Sequence, residues 1–107
     1  MIRVTVYKNQ GIYKGITVSG HSGYAAAGED VVCAAVSALV INTVNSLERF
    51  TDESVQAESN EAEGVISIKF NKAPGRDGKL LMDSLIAGLE DVKKGSEDYI
   101  AISYKEG

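Results

Sequence analysis

The chain has 107 residues and a formal net charge of -4, which leaves room for one domain, 1–107, and one core. Its acidic balance argues against a protein whose main task is gripping nucleic-acid backbone, which needs clustered Lys and Arg. With one Cys and one His, an internal disulfide and a four-ligand Cys/His zinc site are both excluded, and no metal or cofactor is expected. The start, MIRVTVYKNQ, lacks the basic-then-apolar pattern of a signal peptide, and the apolar run from Val31 to Ile41 falls short of the roughly 20 residues that span a bilayer. These features predict a cytoplasmic protein that uses no membrane.

Ile2 to Tyr7 alternates with period two and is rich in β-branched residues, which predicts a strand. Lys8-Asn9-Gln10-Gly11 supplies turn chemistry, and the alternation resumes over Ile12 to Ser19, so the two segments form a hairpin. A loop of small residues, Gly20 to Gly28, precedes a long apolar helix expected over about Asp30 to Leu47. That helix is apolar almost all round at its start, so it should be buried on more than one side, against a second helix or a partner subunit. Val55 to Glu58 and Gly64 to Phe70 read as a second hairpin, the latter with Val65, Ser67 and Lys69 on one face. Pro74, Gly75 and Gly78 mark an exposed connection. From Lys79 the residues Leu81, Met82, Leu85, Ile86, Leu89 and Val92 recur at helical spacing, with Lys93-Lys94-Gly95 as the stop. Tyr99 to Tyr104 closes with a strand. The order ββαββαβ predicts an α+β two-layer sandwich, a mostly antiparallel sheet with two helices.

Chemistry concentrates between Ile16 and Leu47, which holds His21 and Cys33. With Asp30 as the N-cap, Cys33 falls at the third helical position, where unpaired N–H groups and the helix dipole favour a thiolate. The bland reading, a small buried hydrophobe, stands beside that one. His21 is either a turn residue bonding its own loop or a general base; eight residues, 22–29, separate it from the cap, enough chain to fold the ring back. Asp30 either caps the helix or orients His21. Ser37, one turn beyond Cys33, either bonds back to a carbonyl or donates near the reacting centre. Gly20 and Gly23 serve turn geometry or close approach of a substrate backbone, and Tyr24 is the one tyrosine placed to touch a substrate.

The stretch GHSGYAAAGEDVVCAAVSAL, Gly20 to Leu39, resembles the signature of the ribosomal-processing cysteine protease family, Prp. The likeness takes in Gly20-His21, the eleven residues between His21 and Cys33, the run Asp30 to Ser37, and Leu80-Leu81 and Gly88-Leu89 ahead of Asp98-Tyr99-Ile100. Ser22 departs from the alanine often found after the histidine, a small-for-small change. The resemblance implies a homodimeric cysteine endopeptidase that removes a short N-terminal extension from a large-subunit ribosomal protein (protein twenty-seven) during ribosome maturation. It implies His21 as general base, Cys33 as nucleophile, and Asp30 and Ser37 in support. It also makes Ser22 to Gly28, with Gly20 ahead of it, the substrate-binding loop, recognising an extended peptide with aromatic residues before the cut. Two other readings are a non-catalytic ribosome-assembly protein and an RNA-associated module, although direct contact with nucleic acid is not expected from the composition.

Overall fold

In the computed structural model, residues 1–20, 27–60 and 62–107 are described, with side chains for 1–20, 30–60 and 62–107. The elements are β1 (Ile2–Asn9), β2 (Ile12–Ser19), α1 (Ala27–Phe50), β3 (Val55–Asn60), β4 (Val65–Phe70), α2 (Arg76–Lys93) and β5 (Ile100–Glu106). The expected order and both hairpins are therefore present. The strands form one sheet in the order β3-β4-β2-β1-β5. Its pairs are antiparallel except β1 with β5, which run parallel with Ile2 opposite Ile100.

Register follows from alternation. Pairing Val6 with Ile16, Val18 with Ile66 and Ile16 with Ile68 puts the apolar residues of three strands on one face. There Ile2, Val4, Val6, Ile16, Val18, Ile68 and Ile100 are almost completely buried. Helix α1 contributes Val32, Val36, Val40 and Leu47 to this core, and α2 contributes Met82, Leu85 and Leu89. The spacing of these residues is what a helix needs to present one stripe. The helices touch each other where Leu39 packs over Gly88; a Cβ on Gly88 would come within 3.2 Å of the Leu39 methyl groups. The opposite face of the sheet carries Thr5, Tyr7, Thr17, Ser67 and Lys69, the face expected for the last two.

Two differences from expectation concern α1. It starts at Ala27, three residues early, and runs to Phe50. Over Asp30–Phe50 it is long and apolar enough to cross a bilayer, contrary to the reading from the 11-residue run alone. Its Val32–Val36–Val40–Leu47 stripe is nevertheless packed on the sheet. Much of the rest is uncovered in the single chain, with Val31 71% and Ile41 52% exposed.

Helix α2 is tied down at both ends and in the middle. Glu53, just after α1, accepts the Gly75 N–H at 2.8 Å at the start of α2, and its carboxylate occupies the space a Gly78 Cβ would need. Lys94 donates its N–H to the Glu90 carbonyl, and Gly95 follows at φ +79°, the left-handed position that ends helices. In the middle, the buried Tyr13 of β2 donates its hydroxyl to Asp83 at 2.5 Å, while Tyr104 of β5 donates to Glu90 at 3.0 Å. Burial, and then the bond to Asp83, push the Tyr13 phenol well above its ordinary range. The same bond, with help from Lys79, holds the Asp83 carboxyl below the usual carboxylate range. Tyr13→Phe should lower the unfolding free energy by about 1 kcal/mol near neutral pH, a low figure for a charged acceptor because Asp83 still faces solvent. Since the folded Asp83 pKa is depressed, this contribution is complete above the ordinary carboxylate pKa of about 4 and is lost as pH falls through the lower folded value. Urea titrations near neutrality and in strong acid should show the gap between wild type and variant closing in acid.

Candidate active site

The expected site lies where β2 ends and α1 begins. Gly20 closes β2 at φ +89°, its N–H donating to the Gly64 carbonyl at 3.1 Å. A Cβ there would run into the Met1 carbonyl oxygen, so the position needs glycine for both conformation and space. The strand end that leads into His21 is thus bonded to Gly64, the residue before β4, and packed close against Met1. His21, Ser22, Gly23 and Tyr24 lie outside the described residues. Gly28 falls within α1, as its second residue.

The early start of α1 changes the setting of the other candidates. Asp30 is the fourth helical residue rather than the N-cap, and Cys33 the seventh rather than the third. The reason is local: Ala27 is the residue type best suited to a helix, and an acidic pair, Glu29-Asp30, suits a first turn as well as a cap. Asp30 is exposed and makes no hydrogen bond or ion pair among the described residues. The consequence for the thiol is substantial. The dipole effect fades beyond the first turn, so a second-turn cysteine draws little from it, and the helix terminus cannot be the main source of thiolate character.

Three of the candidates do share a stripe. Asp30, Cys33 and Ser37 are spaced i, i+3 and i+7, so they lie one above another along α1. Cys33 and Ser37 are half-buried, at the margin of the core stripe rather than within it. Cys33 touches the core but keeps an exposed side. Among the described residues the Ser37 hydroxyl forms no back-bond to a carbonyl, in contrast to Thr43, which donates to the Leu39 carbonyl at 2.8 Å. Among the described residues no three of His, Cys, Asp and Glu come together in a way that would hold a metal.

Sequence reading missed one feature of this side of the helix. Val44, three turns from Cys33 and on the same flank, helps line a shallow apolar cleft of about 160 Å³ with Ile41, Ala57, Ser59 and Ile66. It forms between α1 and the edge strand β3, so nothing in either segment alone announces it.

A model of the family described as "Cysteine protease Prp" matches residues 1–101. This chain belongs to that family. Among its relatives, the ribosomal processing cysteine protease Prp of Staphylococcus aureus is 24% identical over 106 residues, covering 98% of this chain and all of that protein. The Prp of Bacillus subtilis is 26% identical over 110 residues, covering 96% of each. Of solved structures, S. aureus Prp in complex with a substrate peptide superposes with a TM-score of 0.92 at 22% identity, over 98% of this chain and all of that one. The protein SMU.848 of Streptococcus mutans superposes at 0.90 with 28% identity, over all of this chain and 96% of that one. The α+β fold and the place of this chain among ribosomal-processing cysteine proteases are thereby established.

Gly20→Ala should destabilise the protein by about 1–3 kcal/mol, the usual cost of forcing a side chain into this backbone region, with the Met1 contact adding to it. Chemical unfolding monitored by circular dichroism measures the loss.

Proposed function

We propose that this protein is the endopeptidase that removes a short N-terminal extension from large-subunit ribosomal protein twenty-seven. Its family membership over residues 1–101 is the observation that carries the reading. The quoted Gly20-His21 and Asp30–Ser37 motifs lie within that span. The Staphylococcus aureus relative, solved both with a substrate peptide and with a covalently linked product peptide, supports acyl transfer to the enzyme as the chemical route.

In this mechanism His21 takes the proton of Cys33, and the thiolate sulfur attacks the scissile carbonyl carbon to form a C–S bond and a tetrahedral oxyanion. The oxyanion collapses, the C–N bond breaks, and His21 gives its proton to the leaving amine. Water, losing a proton to His21, then attacks the thioester; the extension leaves as a carboxylic acid and the thiol is restored. With the helix dipole contributing little, His21 is the group that makes the sulfur anionic. Asp30 and Ser37 support the pair, and residues 22–28 receive the substrate; the reaction takes place in the cytoplasm and needs no metal or cofactor.

Incubation with a peptide spanning the extension, followed by mass spectrometry, should show one cut that releases the mature N-terminus. Cys33→Ala should abolish cleavage while changing stability by no more than about 1 kcal/mol, since the side chain lies at the core margin. His21→Ala should also abolish cleavage and slow alkylation of Cys33 near neutral pH; an intact peptide with the wild-type protein would refute the activity.

The same reading makes the protein a homodimer. The uncovered apolar residues of α1 (Val31, Ala34, Ala38, Ile41) supply the patch, larger than scattered exposed hydrophobes would make it. Light scattering should give twice the chain mass, and Ile41→Asp should shift it toward one chain; a wild-type monomer at micromolar concentration would refute the dimer.

A further inference from the structure

The sheet has two faces, and the helices cover only one. Strand register places Arg3, Thr5 and Tyr7 of β1, Gly15, Thr17 and Ser19 of β2, Ser67 and Lys69 of β4, and Ser103 and Lys105 of β5 on the other. The register shift between Tyr7 and Lys8 leaves Lys14 as an extra residue in β2, and its side chain lines this face too. In a chain of net charge -4, this face thus presents four cations, Arg3, Lys14, Lys69 and Lys105, against two carboxylates at its β3 edge, Glu58 and, in the β3–β4 turn, Glu63. Lys14, Lys69 and Lys105 form no ion pair among the described residues, so their charge is not neutralised from within.

The cations are arranged around an aromatic ring. Lys105, Tyr7, Gly15 and Lys69 are direct neighbours across β5, β1, β2 and β4, so the two outer lysines are three strand spacings apart, about 14 Å. Gly15 lacks a side chain for a packing reason: a Cβ would strike the Ile68 carbonyl oxygen. Its bareness opens a groove of about 320 Å³ beside Tyr7, lined by Lys14, Thr17, Ser67 and Lys69, with Gly107 at one end. The next row across the sheet is Ser103, Thr5, Thr17 and Ser67, four hydroxyls in register.

We propose that this open face binds single-stranded RNA, with a base stacked on Tyr7 and the flanking phosphates held by Lys14, Lys69 and Lys105. An aromatic ring between cations on a flat sheet suits unpaired bases, which offer a π-face to stack on, whereas a duplex hides its bases. The hydroxyl row offers partners to ribose 2′-OH groups, which DNA lacks. An acidic peptide would use the lysines but leave the ring and groove without a role. The composition argues against nucleic acid only while charge is taken as evenly spread; folding collects the cations on one face.

The test is fluorescence anisotropy of a labelled eight-nucleotide oligouridylate with the full chain carrying Cys33→Ala, so that binding is read apart from any proteolysis. Affinity should fall with salt between about 50 and 200 mM with a log–log slope near -2, as expected for three phosphates on a single strand. Lys69→Glu combined with Lys105→Glu should weaken binding at least about tenfold and flatten that slope by more than one unit. Tyr7→Leu, which keeps bulk over Gly15, should cost about tenfold with the slope unchanged, and Tyr7→Phe should retain binding. Peptide cleavage by the lysine variants in the wild-type background should stay normal, which keeps this proposal distinct from the protease reading. Absence of binding in low salt, equal binding of single-stranded DNA or duplex RNA, or equal competition by polyglutamate would each overturn the assignment.

Discussion

The seating of α1 on the sheet through Val32, Val36, Val40 and Leu47 is the contact on which the rest of the molecule depends. Those side chains fix the rotation of a 24-residue helix, and rotation decides what every other residue on it can do. Turned by one position, the helix would drive Cys33 into the hydrocarbon core and leave a valine at the margin. In the observed seating the thiol is half-buried, held by neighbours on one side and reachable on the other. That is the compromise a nucleophile needs, since full burial would disfavour the thiolate and full exposure would leave it unpositioned.

Polar contacts then lock the layers without entering the core. Tyr13 to Asp83 and Tyr104 to Glu90 each join a strand to α2 at the rim, where the carboxylates remain in contact with water and avoid the cost of burying a charge. Glu53 links the end of α1 to the start of α2 in the same way. With both helices held on one side, the sheet's other face stays uncovered, and the alternation that sends isoleucines and valines inward sends hydroxyls and lysines outward. One periodicity therefore builds the core and the cationic surface together.

Much of this was legible in the chain itself. Period-two alternation in β1, β2 and β4 and the helical spacing of Leu81 through Val92 are local signals, written within a few residues of one another, and they gave the element order and the α+β class. The residues from Gly20 to Leu39 carry the family's signature in the sequence alone. The start of α1 was not legible, because Asp30 satisfies the chemistry of a cap and of a first turn equally well. That ambiguity is what made the helix dipole look more important to Cys33 than it is.

Residue order alone therefore determined which segments form strands and helices, which faces are apolar, and which thiol and imidazole the chain has to offer, since each follows from short-range pattern and residue chemistry. Tertiary structure decided the rest. The parallel pairing of β1 with β5, the cleft between α1 and β3, and the gathering of Lys14, Lys69 and Lys105 around Tyr7 join positions far apart in the chain. Such juxtapositions depend on strand order and register across the whole sheet, which only the burial of all its apolar faces at once can select.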